Sequence, residues 1–325
     1  MTNQAVIESC GETVAMHSDI EWVRSLLHES NDGAALPGHG ASTMSIHVES
    51  TSSAFPLRGL TPLTRTAWSG HGEVVIADVC GSGFDVRLKQ AGSRADFAVR
   101  WRPGTSRSVA RFGLATRFRL LSREALVHYP VLWWASVHGK APLHAIACTV
   151  GGSVVLLAGP GGVGKSTLLQ RELADGGSAT SDNMCAADGR SVWGLVEPMR
   201  VEGDGGARTT HGRIEVALRG RVSYLIPDQV VVVRRGGGET AEMLPCDPED
   251  AVRSLVTGTY AAGELSRFWA YAATMAAGTC IGPVHPPVAE VARGFASRLD
   301  CFELRLATTP GTRLSEMVRR AEAIA

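Results

Sequence analysis

Apolar and polar positions along this chain follow two regimes. From about residue 73 they alternate. Glu73-Val74-Val75-Ile76-Ala77-Asp78-Val79, Phe84-Asp85-Val86-Arg87-Leu88 and Phe97-Ala98-Val99-Arg100-Trp101 predict strands with one buried and one wet face. Val109 to Leu121 predicts one or two more. Upstream, Ser18-Asp19-Ile20-Glu21 reads as a capping box opening a short helix with Trp22, Val23, Leu26 and Leu27. Residues 30–72, rich in Gly, Ser, Thr and His, read as loops. A helix is predicted over Leu126 to Val137, with Trp133 and Trp134 as packing residues. From Leu143 the pattern becomes α/β. Strands are expected at 143–150, 153–158 and 178–182, with a helix between the last two and β segments to about 235. Helices at about 247–257 and 261–277, a strand Cys301 to Leu306 and a final helix over 311–324 complete the pattern. This divides the chain into a β-rich region, residues 1–125, and an α/β domain, residues 126–325. No internal repeat or low-complexity tract is evident.

The junction after the second of those strands carries the strongest chemical signal. Gly159-Pro160-Gly161-Gly162-Val163-Gly164-Lys165-Ser166 is a complete G-x-x-x-x-G-K-[ST] sequence. The apolar run Ser153 to Ala158 precedes it, and the helical pattern Thr167 to Leu173 follows. Strand, glycine-rich loop and helix together are the context of a phosphate-binding loop (Walker A). Glycines let successive backbone N–H groups turn inward around phosphate oxygens, and the helix N-terminus adds partial positive charge there. The nucleotide-contacting set is Gly159, Gly161, Gly162, Val163, Gly164, Lys165, Ser166 and Thr167. Lys165 reaches the β- and γ-phosphates, and Ser166 holds Mg²⁺. Lysine usage strengthens the reading: of 32 basic residues only Lys89, Lys140 and Lys165 are lysines.

Composition narrows the remaining classes. The chain is 44% hydrophobic and 20% charged with zero formal net charge, so no global field draws it to nucleic acid or an anionic membrane. No apolar run approaches the ~20 residues that cross a bilayer, and the N-terminus lacks the basic start and apolar core of a signal peptide. Cytoplasm is the expected compartment. Seven scattered cysteines, with no C-x-x-C pair, fit free thiols; Cys185 is expected to be a small buried hydrophobe. Residues 85–123 hold nine arginines and one lysine against two acids. Either this face attracts an anion, or it is the solvated side of a sheet; the alternation with apolar residues predicts the second.

A second motif follows the loop helix. Gly176-Gly177 ends that helix, and Ser178-Ala179-Thr180-Ser181 leads to Asp182-Asn183. Ligands in open α/β sheets sit at the carboxyl ends of strands, so a strand ending at Asp182 brings a carboxylate beside the terminal phosphate. There it can hold Mg²⁺ or accept a proton from an attacking hydroxyl. Arg200, Arg208 and Arg213 lie in or beside a Gly-rich stretch that could close over substrate.

Leu143-His144-Ala145, the loop Gly159 to Thr167 and Ser181-Asp182-Asn183 together resemble the kinase domain of the HPr kinase/phosphorylase group, over roughly residues 140–200. The resemblance implies an α/β, phosphoenolpyruvate-carboxykinase-like P-loop fold. It also implies transfer of a nucleotide's γ-phosphoryl group to a serine or similar hydroxyl, with ATP and Mg²⁺ as cofactors. Asp182 becomes the base or metal carboxylate. His144 sits near the phosphates, or else is a strand histidine satisfied by backbone. Asn183 replaces the family's second Asp: its amide oxygen can join Ser166 and Asp182 around Mg²⁺ but cannot take a proton. The late signature loop of full HPr kinases is not recognisable, which argues against HPr as substrate.

The expected activity is an ATP-dependent kinase acting on a peptide or protein Ser/Thr or a small metabolite alcohol, with catalytic Asp182, Lys165 and His144. The β-rich region would confer specificity. Members of such groups often form homo-oligomers. A regulatory NTPase switch and a binding module without turnover remain the alternatives; neither a transporter-ATPase signature nor a guanine motif is present.

Overall fold

The computed structural model describes residues 4–31, 34, 42–104, 115–202, 212–308 and 311–322. It is a mixed α/β protein of two compact units. The first combines residues 1–139, 202–215 and 267–286; the second combines 140–201, 216–266 and 287–325.

The first unit is built on one eight-stranded sheet. Its strands are β1 (Gln4–Ser9), β2 (Glu12–Ser18), β3 (Met44–Glu49), β4 (Thr61–Thr64), β5 (Ala67–Gly70), β6 (Glu73–Ile76), β7 (Phe84–Ala91) and β8 (Arg94–Trp101). Their order is β1-β2-β3-β8-β7-β6-β5-β4. β2, β3 and β8 run parallel, and the other neighbours are antiparallel. β3 corrects the expectation of loops over 30–72. Met44, Ile46 and Val48 face inward and Ser45, His47 and Glu49 outward, a clean alternation set between polar stretches that hid it. The helix Glu21–Ser30 forms as expected but without the capping box. Ile20 is its N-cap, and the Ser18 hydroxyl accepts from the Ile20 N–H at 3.1 Å instead.

Where further strands were expected the chain is helical. Ala115–Arg123 is a helix continuing through one π turn, Glu124–His128, into the helix Tyr129–Val137; residues 105–114 lie outside the described set. Trp22, Phe84, Trp101 and Phe118 form one aromatic cluster, with ring centroids 4.7–6.0 Å apart. Trp133 and Trp134 are core residues, Trp133 lying edge-on to Phe97 at 6.1 Å. The helix Phe268–Thr279 covers β4–β6 so closely that a Cβ on Gly278 would come within 2.6 Å of Val74 Cγ2. Of the described arginines in the basic stretch, those on or just after the sheet strands include paired charges, Arg100 to Glu49 at 2.6 Å, Arg94 to Asp96 at 2.9 Å and Arg102 to Asp85, while Arg117, Arg119 and Arg123 lie on the helix. Further along, Arg123 makes a two-pronged pair with Glu215 at 2.8 and 3.1 Å.

The second unit contains β9 (Ala141–Leu143), β10 (Ile146–Val150), β11 (Ser153–Ala158), β12 (Cys185–Ala187), β13 (Val192–Gly194) and β14 (Met199–Val201). After β15 (Ile214–Val216), where the chain passes between units, it continues with β16 (Tyr224–Leu225), β17 (Gln229–Arg235), β18 (Glu242–Pro245) and β19 (Asp300–Leu306). One sheet runs β10-β11-β17-β19-β18; its β11, β17 and β19 are parallel and its two edge strands antiparallel. A second, antiparallel sheet runs β16-β13-β12-β9. The strand expected over 143–150 is two strands in two sheets, broken at His144-Ala145.

Helices Lys165–Ala174, Pro248–Tyr260, Val288–Ala296 and Leu314–Glu322 complete the unit. The third of these was not anticipated. Among the described residues no helix is long and apolar enough to cross a membrane.

Candidate functional site

β11 is buried from Val155 to Ala158 and pairs in parallel with β17, whose Val230–Val233 are also buried. At the carboxyl end of β11 the chain turns through Gly159–Gly164 into the helix that begins at Lys165. Gly159 makes this turn possible. Its φ is +144°, and a Cβ there would come within 2.8 Å of the Val233 carbonyl oxygen. Gly161 and Gly162 are exposed, Val163 is buried, Ser166 is half-buried and Thr167 is exposed. Lys165 folds back along the loop, its Nζ donating to Gly159 O at 2.7 Å and Pro160 O at 3.2 Å. Arg235, at the end of β17, donates to Gly162 O at 2.9 Å from the neighbouring strand.

Asp182 reaches this strand end by a different route from the one expected. Residues 178–182 form no regular strand. Ala179 makes one bridge to Cys148 of β10 and another to Arg221. β10 therefore separates the segment from β11. The β10–β11 hairpin occupies one flank of β11 and β17 the other, so the chain leaving the loop helix lands one strand further out. The direction survives. The segment is antiparallel to β10, which is antiparallel to β11, and Cys148 faces both Ala179 and Val155. Three residues on comes Asp182, whose charge acts on Lys165 at the start of the loop helix.

Several groups hold the segment in place. Arg221 donates to Glu197 O at 2.7 Å and Thr180 O at 3.3 Å. Gly194 lies so near that a Cβ on it would sit 1.8 Å from Thr180 O. Ser181 is fully buried, and Asp182 is 3% exposed. Asp182 Oδ2 accepts the Arg200 main-chain N–H at 3.0 Å.

The electrostatics tie these groups together. Burial is the main reason the Lys165 ammonium is held down at about 8, and the charges of Asp182 and Glu264 partly offset it. Burial, then repulsion from Lys165, brings His144 down to about 4. Its imidazole is therefore neutral near pH 7. Nδ1 lies 3.1 Å from Gly258 O, so Nδ1 carries the hydrogen and Nε2 the lone pair. The His144 N–H donates to Thr259 Oγ1 at 3.1 Å, and the ring lies 4.0 Å from where a Cβ on Gly161 would be. His144 therefore lies between β9 and β10, beside the loop and bonded to backbone.

Glu264 is a member the sequence did not disclose. Burial raises its carboxyl pKa, but the Arg200 guanidinium at 2.6 Å, a backbone hydrogen bond and the His144 charge together outweigh this and leave it below the usual range. Asn183 Nδ2 donates to the same carboxylate at 3.4 Å. Arg200 also contacts Glu197 at 3.3 Å, and its main-chain N–H ties it to Asp182. Arg208 lies outside the described residues, and Arg213 belongs to the first unit. Cys185 is fully buried, its thiol pushed up to about 12 by desolvation, which leaves it a packing residue. The end of a buried valine run was the available signal for Arg235. Glu264, on the short Gly263–Leu265 turn between two helices, offered none.

Asp182 and Asn183 are adjacent in the chain and Ser166 lies in the first turn of the loop helix; carboxylate, amide and hydroxyl oxygens are the donor types they offer. This chemistry suits a hard cation such as Mg²⁺. The loop's backbone and Lys165 suit phosphate oxygens.

Neither a protein-family model nor a curated protein matches the chain. Among solved structures it is similar to the Hpr(Ser) kinase/phosphatase from Coxiella burnetii, at 18% identity over 30% of this chain and 67% of that one, with a TM-score of 0.24.

Proposed function

We infer that the second unit is a P-loop phosphotransferase that moves the γ-phosphoryl group of ATP to a hydroxyl acceptor, a Ser/Thr side chain or a small alcohol. One observation carries most of the reading. The buried carboxylate of Asp182 and the buried ammonium of Lys165 interact electrostatically at the strand end where a glycine-rich loop opens a helix. In this reading the N–H groups of the loop through Ser166 cradle the phosphates, and Lys165 bonds the β- and γ-oxygens. Ser166, Asp182 and Asn183 are the residues to hold Mg²⁺, which when bound would neutralise phosphate charge.

Asp182 accepts the acceptor's proton. Its Oδ2 is already oriented by the Arg200 N–H, which fixes the carboxylate without neutralising it. His144, neutral and fixed at Nδ1, positions the loop face and does not act as a proton donor. Positioning and charge stabilisation then supply the rate, as phosphoryl transfer requires.

The test is label transfer from [γ-³²P]ATP to a panel of alcohols and Ser/Thr peptides, with ADP release measured in parallel. ADP release that depends on an acceptor supports the reading. Brisk hydrolysis independent of any acceptor would replace it with an NTPase switch.

A further inference from the structure

On the first unit's sheet, far from the loop in sequence, His17, Asp19 and His47 bring three metal-binding side chains within 4.8 Å of one another. The arrangement follows from strand register. β2 and β3 are parallel, and His17 lies directly beside His47, so both imidazoles stand on the same face. The ring centroids are 4.8 Å apart. On the other side of β3, His47 is opposite Ala98, a small neighbour that leaves the ring room.

Asp19 follows β2 at once, and its backbone is held on both sides. Its N–H donates to Val48 O at 3.0 Å, and Ser18 Oγ closes the next turn onto Ile20. Its two carboxylate oxygens face one histidine each, Oδ1 at 2.9 Å from His17 Nε2 and Oδ2 at 3.2 Å from His47 Nε2. Both Nε2 atoms therefore converge on one carboxylate.

We propose that His17, Asp19 and His47 form a binding site for a borderline divalent transition metal, Zn²⁺ first among them. Two imidazole nitrogens and one carboxylate oxygen select Zn²⁺, Co²⁺ or Ni²⁺ over Mg²⁺ and Ca²⁺. Tetrahedral ligands around zinc lie about 3.3 Å from each other. With a single carboxylate oxygen as ligand, one spacing already lies close to this, and side-chain rotations within the 4.8 Å cluster bring in the remaining nitrogen. All three side chains are 35–46% exposed, which gives the ion an entry path and leaves a fourth position for water or a ligand. For metal binding each Nε2 must present its lone pair, so the ring hydrogen of each neutral imidazole sits on Nδ1 in the metal-bound form. The site is independent of the phosphotransfer reading and lies within the first unit.

Co²⁺ titration of the full chain, stripped of metal by chelator and kept reduced, tests the proposal. Wild type should take up one equivalent that His17→Gln/His47→Gln does not. Visible bands of tetrahedral Co²⁺ should appear without the intense near-ultraviolet band that thiolate ligation by any of the free cysteines would add. Zn²⁺ should displace the Co²⁺. Asp19→Asn, which keeps the side chain's shape, should bind at least about tenfold more weakly. Circular dichroism checks that the double variant folds, and Asp19→Asn stands in for it if it does not. Equal uptake by wild type and these variants, or a thiolate band in the one-equivalent complex, would overturn the proposal.

Discussion

The main-chain N–H of Arg200 donates to Asp182 Oδ2 at 3.0 Å, while its guanidinium reaches Glu264 at 2.6 Å. The guanidinium pairs with Glu264 and Glu197, and the bond to Asp182 comes from the neutral main-chain amide. Asp182 stays oriented while its negative charge remains directed to Lys165 and to whatever binds beside it.

Replacing that charge isolates it. Asp182→Asn retains an oxygen for the Arg200 N–H, so ATP affinity should change little. Phosphoryl transfer should fall about 10²–10⁴-fold, the usual contribution of a positioned base. Single-turnover kinetics with separate nucleotide-binding measurements check this; wild-type turnover in the variant would remove Asp182 from the chemistry.

Lys165 makes a pH-dependent contribution whose sign is defined. The unfolded chain binds this proton up to about pH 10.5 and the folded chain only up to about 8. Burying the charge therefore lowers stability below pH 8, and the penalty fades as pH rises toward 10.5. Compared with Lys165→Met, wild type should gain up to about 3 kcal/mol across that window. Urea denaturation of both proteins at pH 7, 9 and 10 measures it. The same variant should bind ATP weakly and lose transfer.

His144 works at the other end of the scale. Folded, it stays neutral down to about pH 4; unfolded, it takes a proton near 6.5. As pH falls from 6.5 to 4 the unfolded state gains, and wild type should lose up to about 3 kcal/mol relative to His144→Asn. Paired denaturation curves at pH 7 and 4.5 test this. A gap that stays constant would mean that the imidazole is hydrated and titrates normally.

Gly194→Ala probes the Asp182 segment without touching the loop. The new Cβ would meet the Thr180 carbonyl, which a helix-like or extended backbone cannot relieve by rotating a side chain. A loss of about 1–3 kcal/mol is expected from such overpacking. Transfer should drop while ATP affinity persists, because the displaced residues lead to Asp182. Calorimetry and turnover together check it.

The loop was legible because its signal is local: five apolar residues, the glycines and a helical pattern are contiguous. The strand expected to end at Asp182 does not form, because the β10–β11 hairpin that displaces the segment is a pairing choice, not a composition. The alternation of β3 was overlooked between polar stretches, and with it the register that sets His17 beside His47. Glu264 pairs with Asn183 across 81 positions, and no short-range pattern announces such a partner. The adjacent tryptophans and the arginine-rich face, by contrast, follow from ordinary burial and alternation.

The first unit draws its covering helix Phe268–Thr279 from late in the chain, where Phe268 packs at 5.8 Å from Tyr129. A ribosome that has released only the first 139 residues has delivered the sheet without that cover, its β4–β6 face open to solvent. Contacts of such sequence span slow folding and leave unpaired apolar surface exposed meanwhile. Neither unit is separable by a single cut, and during synthesis the early strands must wait for, or be shielded until, the last quarter of the polypeptide.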